Sequence, residues 1–417
     1  MLFRSLAAIQ TVEVLTDGAS AIYGSDAIGG VVNVKLRHDF RGLEIGGRYA
    51  FSGRDGNYSE RSGYLVAGVN RARFSATVSL STSRLTPLYQ SDRPFSNPQI
   101  GKTALISGTV GLSSSVNPTA FLRPDLLSPS KVVPTGTAAT APDLAALVNA
   151  GVYQAANTQS IANTYDLAPA VTLTLGSAKK AATLAGTIKL IPDKLEFFFE
   201  GIDSISDSFS QLAALGVTNT VPVNSPYNPA RSSIFVSFRY SPNPRQFHNS
   251  GELHRLVGGL RGKISERFQW EAGYNYNVNR LRTSLSGMIY SPNFQLALAG
   301  GFDANGNPLA GGRYAKVFKD YGAPAGLTTL AQYQSAINAS NSVLQPALDV
   351  FARPAGIDPA ALANIYGTTD LRFEAPLTQI DAKISGTLFD LPAGPLGTAA
   401  GVDLRSERLK GLPDVNS

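Results

Sequence analysis

Histidine is the side chain most often used to hold a metal ion or move a proton near neutral pH. This chain has three, His38, His248 and His254. His248 and His254 are six residues apart near the start of one strand-like segment. Even spacing puts both on one face, but their Cβ atoms would stand roughly 20 Å apart, too far to share one metal ion. Cysteine is absent, so there is neither a thiolate metal site nor a disulfide framework. The sequence contains no G-x-S-x-G elbow and no P-loop. Residue types that carry catalysis are present without the spacing that would assemble them. The chain therefore reads as a non-enzyme, with no metal and no cofactor expected.

The 36 Lys and Arg against 30 Asp and Glu give a net charge of +6 over 417 residues. The excess is spread along the chain. No basic run interleaved with aromatics appears, so a nucleic-acid partner is not expected. Charged residues make up 16% of the chain, below the quarter or so typical of soluble domains.

These charges sit in segments that alternate between polar and apolar residues, the signature of strands with two different faces. From Arg73 to Ser83 the odd positions are polar, while Phe74, Ala76, Val78 and Leu80 stand between them. Leu43, Ile45, Tyr49 and Phe51 face away from Glu44 and Arg48. Phe268, Trp270, Ala272, Tyr274, Tyr276 and Val278 oppose Gln269, Glu271, Asn275, Asn277 and Asn279. The stretches around 380–388 and 398–407 repeat the pattern, and 60–70, 178–190, 195–209 and 252–264 follow it less cleanly. That makes nine strands. Short links join them in pairs at Asn70-Arg71, Ile191 to Lys194, Ser265 to Arg267 and Leu391 to Pro395, and long loops at 84–177, 210–251 and 284–377 separate the pairs.

No apolar run reaches the roughly 18 residues a membrane helix needs, so a chain that crosses lipid must do so as a closed barrel. Strands of about ten residues, with short turns at one end and long loops at the other, fit that architecture. A soluble antiparallel sandwich explains the alternation but not the loop asymmetry. In a barrel, Glu44, Arg48, Arg73, Lys179, Lys189, Asp381, Lys383, Asp403, Arg405 and Glu407 must face the lumen, because charges facing lipid cost several kcal/mol at the midplane. The long loops carry short helical patterns at Pro142 to Val148, Leu327 to Val350 and from Asp358-Pro359, and a turn cluster at Ser225 to Pro229.

Ahead of the strands, residues 12–36 read VEVLTDGASAIYGSDAIGGVVNVKL. Val12, Val14 and Leu15 suit a strand, Asp17-Gly18 a tight turn, Ala19 to Ile22 one helical turn, and Val31 to Val34 a returning strand. Gly24 and Gly29-Gly30 let the backbone bend or pack where a Cβ would clash. This stretch resembles the end of the plug domain of TonB-dependent outer-membrane receptors, just before the chain enters the barrel. The residues that carry the likeness are Glu13, Asp17, Gly18, Tyr23, Gly24, Asp26, Gly29 and Gly30. Ser225-Pro226-Tyr227-Asn228-Pro229 is similar to a loop element of the same receptors, with Ala230 where an aromatic is expected.

The resemblance implies a mainly β fold. Residues 1–40 would be the C-terminal part of a plug. Residues 41–417 would be the first nine of about 22 antiparallel barrel strands, with extracellular loops carrying short helices. Met1 then reads as an internal start or the edge of a fragment, with the TonB box outside it. A nine-stranded piece is expected neither to close nor to transport alone. The implied function is active uptake of a scarce nutrient across the outer membrane of a Gram-negative bacterium. The implied partners are membrane lipid, lipopolysaccharide and, for the whole receptor, the TonB-ExbB-ExbD complex. A passive porin-like barrel and a non-functional remnant or split gene product are the alternatives. In the family, plug residues near the first strand form ion pairs with the barrel. Here Gln10-Thr11 and Thr16 replace the expected charges and leave Glu13 as the candidate. The ligand is not legible. Tyr89, Phe95, Tyr153, Tyr227, Tyr290 and Phe302 are the loop aromatics that would meet it.

Overall fold

Alternation of side chains across a pleated strand builds most of this molecule. The computed structural model describes residues 6–16, 29–53, 58–96, 168–228, 234–240, 242–350, 357–392 and 394–412, with short strand pieces at 121–122, 131–134 and 154–155. The chain begins with a hairpin, β1 (Ile9–Leu15) and β2 (Val31–Leu36). The wall strands then run β3 (Gly42–Phe51), β4 (Ser59–Arg71), β5 (Phe74–Leu85), β6 (Gly176–Ile191), β7 (Leu195–Leu212), β8 (Arg245–Lys263) and β9 (Phe268–Ile289). A folded loop follows, with α1 (Ser291–Ala299), β10 (Tyr314–Phe318), α2 (Leu330–Ala336), β11 (Ser342–Pro346) and α3 (Pro359–Leu362). The wall resumes with β12 (Tyr366–Leu391), β13 (Gly394–Glu407) and β14 (Lys410–Leu412).

The large sheet is antiparallel throughout, in the order β13-β12-β9-β8-β7-β6-β5-β4-β3, with β14 also on β12. Nine long strands therefore stand side by side in sequence order, as the alternation predicts. The fold is mainly β. The turn end carries short links, including one in which Asp193 adopts φ 62°, a conformation that Asp tolerates. The first turn falls at Ala72-Arg73 rather than Asn70-Arg71, because Arg71 and Phe74 still pair across it. Arg73 is thus a turn residue, not a strand residue.

At the other end the strands run further than expected. β5 ends at Leu85, β6 starts at Gly176, β7 and β8 meet at Leu212 and Arg245, and β9 and β12 at Ile289 and Tyr366. The extra length has polar residues on both faces, so apolar alternation does not reveal it. Cross-strand ion pairs hold it instead: Arg280 to Glu374 at 3.1 Å and Arg282 to Asp370 at 2.6 Å.

Strand register fixes the two faces. Leu43, Ala67, Val78, Leu184, Gly201, Leu256 and Tyr276 form one row. One residue along, Glu44, Val66, Ser79, Thr183, Ile202, Arg255 and Asn277 form a row on the opposite face. The apolar face is bare: Leu43 is 64% exposed and Leu256 62%. Along the middle strands the polar face is covered: Ser75, Thr77, Ser79 and Ser204 are at most 3% exposed, whereas Arg48 near one edge and most of β13 at the other are exposed. Water-soluble sheets bury the apolar face and leave the polar one wet; this wall does the reverse. On β9 the apolar rows run from Trp270 to Val278, about 27 Å along the strand, or roughly 20 Å of height at a tilt near 40°.

The loop after β9 makes its own core from Phe294, Leu298, Phe318, Leu348 and Ile365, with Val221 from the preceding loop. Asn293 is fully buried at its centre. Its side chain donates to the carbonyls of Phe318 (2.9 Å) and Asn364 (2.8 Å) and accepts from the Phe318 amide (2.8 Å). The helical pattern over 327–350 resolves into α2 and β11. Asn338 and Asn341 end the helix by bonding nearby backbone amides, Ser340 N to Asn338 Oδ1 at 2.9 Å and Asn338 N to Asn341 Oδ1 at 2.7 Å. Asp358 caps α3 as its sequence predicts, accepting from Ala360 N at 2.9 Å. The expected helix at Pro142 to Val148 lies outside the described residues.

Candidate functional site

The base of the β1–β2 hairpin and the residues flanking it sit on the middle of the polar face of the wall. β1 and β2 pair antiparallel, with Val12 opposite Val34 and Val14 opposite Val32. Arg37 N closes the base by donating to Ala8 O at 2.9 Å. Ala8 and Leu36 then bury themselves against Ala185 on β6 and Ile202 on β7. Gly30 holds φ 128°, and a Cβ there would collide with the Leu15 carbonyl. At Gly30 this is the close backbone approach expected of the Gly29-Gly30 pair, whereas a Cβ at Gly29 would meet nothing within 4 Å. Asp17, Gly18, Tyr23, Gly24 and Asp26 lie outside the described residues.

Two charged contacts tie this unit to the wall, both from the residues just after β2. Arg37 Nη1 donates to Glu44 Oε2 on β3 at 2.9 Å, and Tyr64 on β4 donates to the other Glu44 oxygen at 3.0 Å. His38 Nε2 lies 3.2 Å from Glu200 Oε1 on β7. Glu200 Oε2 is also 3.7 Å from Arg255 on β8. From there a line of polar side chains crosses the wall. Arg255 donates to Asn275 (3.2 Å), Asn275 to Gln379 (3.3 Å), and Gln379 to Asp403. One carboxylate beneath the hairpin is thereby linked sideways through five strands.

Glu13, the expected link to the wall, stays within the hairpin. It accepts from Lys35 at 2.6 Å and from Asn33 at 3.2 Å. The Lys35 hydrogen bond holds its carboxyl below the usual glutamate range. Arg37 and His38 make the wall contacts instead. They were missed because they sit beyond the strand, where alternation carries no information. Glu200 was missed because it follows Phe197-Phe198-Phe199, which hides the pattern. Phe198 points to the polar face, over Gly259 and under the Arg261 guanidinium 5.5 Å from its ring.

Glu44, Arg48, Lys179, Lys189, Asp381, Lys383, Asp403, Arg405 and Glu407 all take register positions on the polar face. Near the turn end, Lys189, Glu196, Arg261, Glu271 and Lys383 form a row of alternating sign. Lys383 pairs with Glu271 at 2.9 Å, and Arg261 pairs with Glu196. These residues line an open cavity of about 590 Å³.

The histidines do not converge. His248 packs on Phe209 with ring centroids 4.9 Å apart, and His254 lies 3.4 Å from Asp203. Several loop aromatics are packing residues. The Tyr290 hydroxyl accepts from Ala323 N (2.8 Å), and Tyr227 lies against Arg313 and the loop core. Phe302 covers the Lys316 ammonium at 4.8 Å. Phe95 is 72% exposed, Tyr89 pairs into a short strand with Thr172, and Tyr153 is outside the described residues.

No family model matches the chain, and no curated protein matches it. Among solved structures, it is similar to the ferric preacinetobactin receptor of Acinetobacter baumannii, at 11% identity and a TM-score of 0.30 over 95% of this chain and 50% of that one. It is similar to a siderophore receptor of the same organism at 12% identity and 0.33, covering 97% and 52%. For the ferric-catecholate import receptor of E. coli K12 the values are 10%, 0.31, 95% and 55%. The chain spans about half the length of each of these receptors.

Proposed function

We propose that this chain is the end of a plug domain and the first part of the barrel of a TonB-dependent receptor in a bacterial outer membrane. Residues 1–40 belong to the plug and residues 41–417 to the barrel. The observation that carries the reading is the inverted wall, with its apolar face bare and the middle of its polar face covered where the base of the hairpin sits on it. Lipid stabilises the bare face, at roughly 25 cal/mol per Å² of apolar surface removed from water. The lumen receives the charges.

The seat of the hairpin suits a plug that has to move. Its ion pairs are few and half-buried, and each charged hydrogen bond contributes about 1.5–3 kcal/mol. A pull transmitted from the inner membrane through TonB, ExbB and ExbD can break contacts of that size. Ala8 and Leu36 meet only small or aliphatic neighbours and can slide free. The cargo is a scarce nutrient such as a siderophore or other metal chelate, a vitamin or an oligosaccharide, taken from the loop end. A passive pore does not need a hairpin seated in its lumen.

Deleting the gene in its source cell and measuring uptake of labelled metal chelates, cobalamin and oligosaccharides under starvation tests this. The expected result is loss of one uptake activity that also stops when the proton-motive force is collapsed. Uptake that survives that collapse indicates a passive pore, and unchanged uptake of every nutrient indicates a remnant.

A further inference from the structure

At the turn end of the polar face, where the β6–β7 turn meets β8, three lysines stand together. Lys263 donates its amide to the Lys194 carbonyl at 3.2 Å, so the two residues are directly opposite. Lys189 is opposite Glu196, two residues from Lys194, which puts it diagonally beside Lys194 at roughly 7–8 Å. All three line the cavity of about 590 Å³ at this end. Like charges directly opposite on neighbouring strands destabilise a sheet. The carboxylates nearby are already engaged. Glu196 takes the Arg261 guanidinium, and Glu271 takes Lys383. Lys263 has Glu266 at 3.7 Å, on a side chain 93% exposed, and a pair of that kind contributes little. Among the described residues, no carboxylate lies within ion-pair distance of Lys189 or Lys194. Asp193 lines the cavity as well, but it sits within the turn and makes no ion pair among the described residues.

Five cations and three carboxylates line the cavity, and the excess gathers at these lysines. Beside Lys263, Gln269 donates to Ser385 at 3.4 Å. Both line the same cavity and present neutral polar groups to it. A space of this size takes a small organic molecule, and inorganic phosphate would leave most of it empty. The patch also has a place on the route past the hairpin. Glu196 is four residues from Glu200, about 13 Å along β7, so the lysines lie on the turn side of the joint that holds His38.

We propose that Lys189, Lys194 and Lys263 form a binding site for a small organic polyanion, a molecule with several carboxylate or phosphate groups on one short skeleton. The three ammonium groups hold the anionic groups, and Gln269 and Ser385 meet the uncharged remainder. This rests on the reading of the chain as part of a nutrient receptor and adds to it the class of cargo. The cargo is an anionic compound that halts at the turn end of the lumen after it has passed the hairpin.

The test is isothermal titration calorimetry on the full chain in detergent micelles. The probes are propane-1,2,3-tricarboxylate, its neutral triamide and inorganic phosphate. The tricarboxylate should bind about tenfold or more tighter than either of the others. The K189Q/K194Q/K263Q variant should lose that preference, while K189R/K194R/K263R, which keeps the charges, should retain it. R61Q/R84Q/K180Q removes as many cations from the bare face and should bind like the unsubstituted chain, with the same circular dichroism for all. Equal binding of the three probes, an unchanged glutamine variant at the lysines, or an equal loss in the bare-face variant overturns the site. Uptake in the source cell separates the site from the reading beneath it. If deleting the gene abolishes uptake of an uncharged oligosaccharide alone, the receptor stands and the anionic cargo is overturned. If the tricarboxylate binds and deletion changes no uptake, the receptor reading fails and the site stands.

Discussion

Glu200 holds His38 from the hairpin side and Arg255 from the wall. Its substitution therefore loosens a joint rather than a surface pair. Glu200→Gln keeps the shape and removes the charge that faces His38 and Arg255, in a site where the Glu200 and Arg255 side chains are about three-quarters buried. We expect a loss of about 1–3 kcal/mol in hairpin docking, read as faster amide exchange over 9–15 and 31–36, with exchange in the loop module around α1 unchanged. Equal exchange in both proteins would show that the seat rests on Ala8, Leu36 and the Arg37–Glu44 pair without the Glu200 joint. At this scale the sequence was legible for charges inside clean alternation, such as Glu44 and Asp381, and illegible for Arg37, His38, Glu200 and Arg255. The first two lie past a strand end. The third follows three phenylalanines, and Arg255 sits in a stretch where His254 occupies the apolar face.

Among the elements, the wall strands and the loop module differ in what holds them. The strands are held by ladders and register, which period-two alternation reports directly. The loop module is held by Asn293, whose side chain satisfies two carbonyls and one amide in a dry core. Asn293→Ala removes the partner of the buried Phe318 amide and carbonyl and of the half-buried Asn364 carbonyl. It should destabilise the module by roughly 2–4 kcal/mol and open 290–365 to limited proteolysis while the wall resists. Wall and loop cut at the same rate would mean they unfold together. Nothing in the local sequence marks Asn293, because its partners lie 25 and 71 residues away. The same limit hid the loop-end extensions of β9 and β12. Their polar pairs satisfy each other across strands, which a single strand's pattern cannot show.

For the whole molecule, the inverted wall predicts a dependence on depth. Leu256→Arg places a charge in the middle apolar row and should cost about 2–4 kcal/mol in lipid. Ser250→Arg, on the same strand and face but beyond the apolar rows, should cost close to nothing. The measurement is the fraction of each protein that resists alkaline extraction from bilayers, and equal fractions, where the unsubstituted chain itself resists extraction, would remove lipid as the solvent of that face. Among the described residues the sheet ends in two edges, β3 and β13, and in lipid the backbone groups of such edges need a pairing partner. The nine strands were legible because they repeat one simple pattern, and the hairpin because two β-branched runs flank a turn-rich stretch. What lies on the loops was not, because loops follow no period.

The chain has one tryptophan, and the register sets Trp270 on the bare face opposite Gly262 and Ile384, at the turn-end margin of the apolar rows. The protein thus carries a single indole, which can be excited apart from its 16 tyrosines, at one known height. Lipids brominated at successive acyl carbons would quench it in order of their distance from that height. The position of the wall in a bilayer can then be recorded optically, without attaching a dye and without altering a residue.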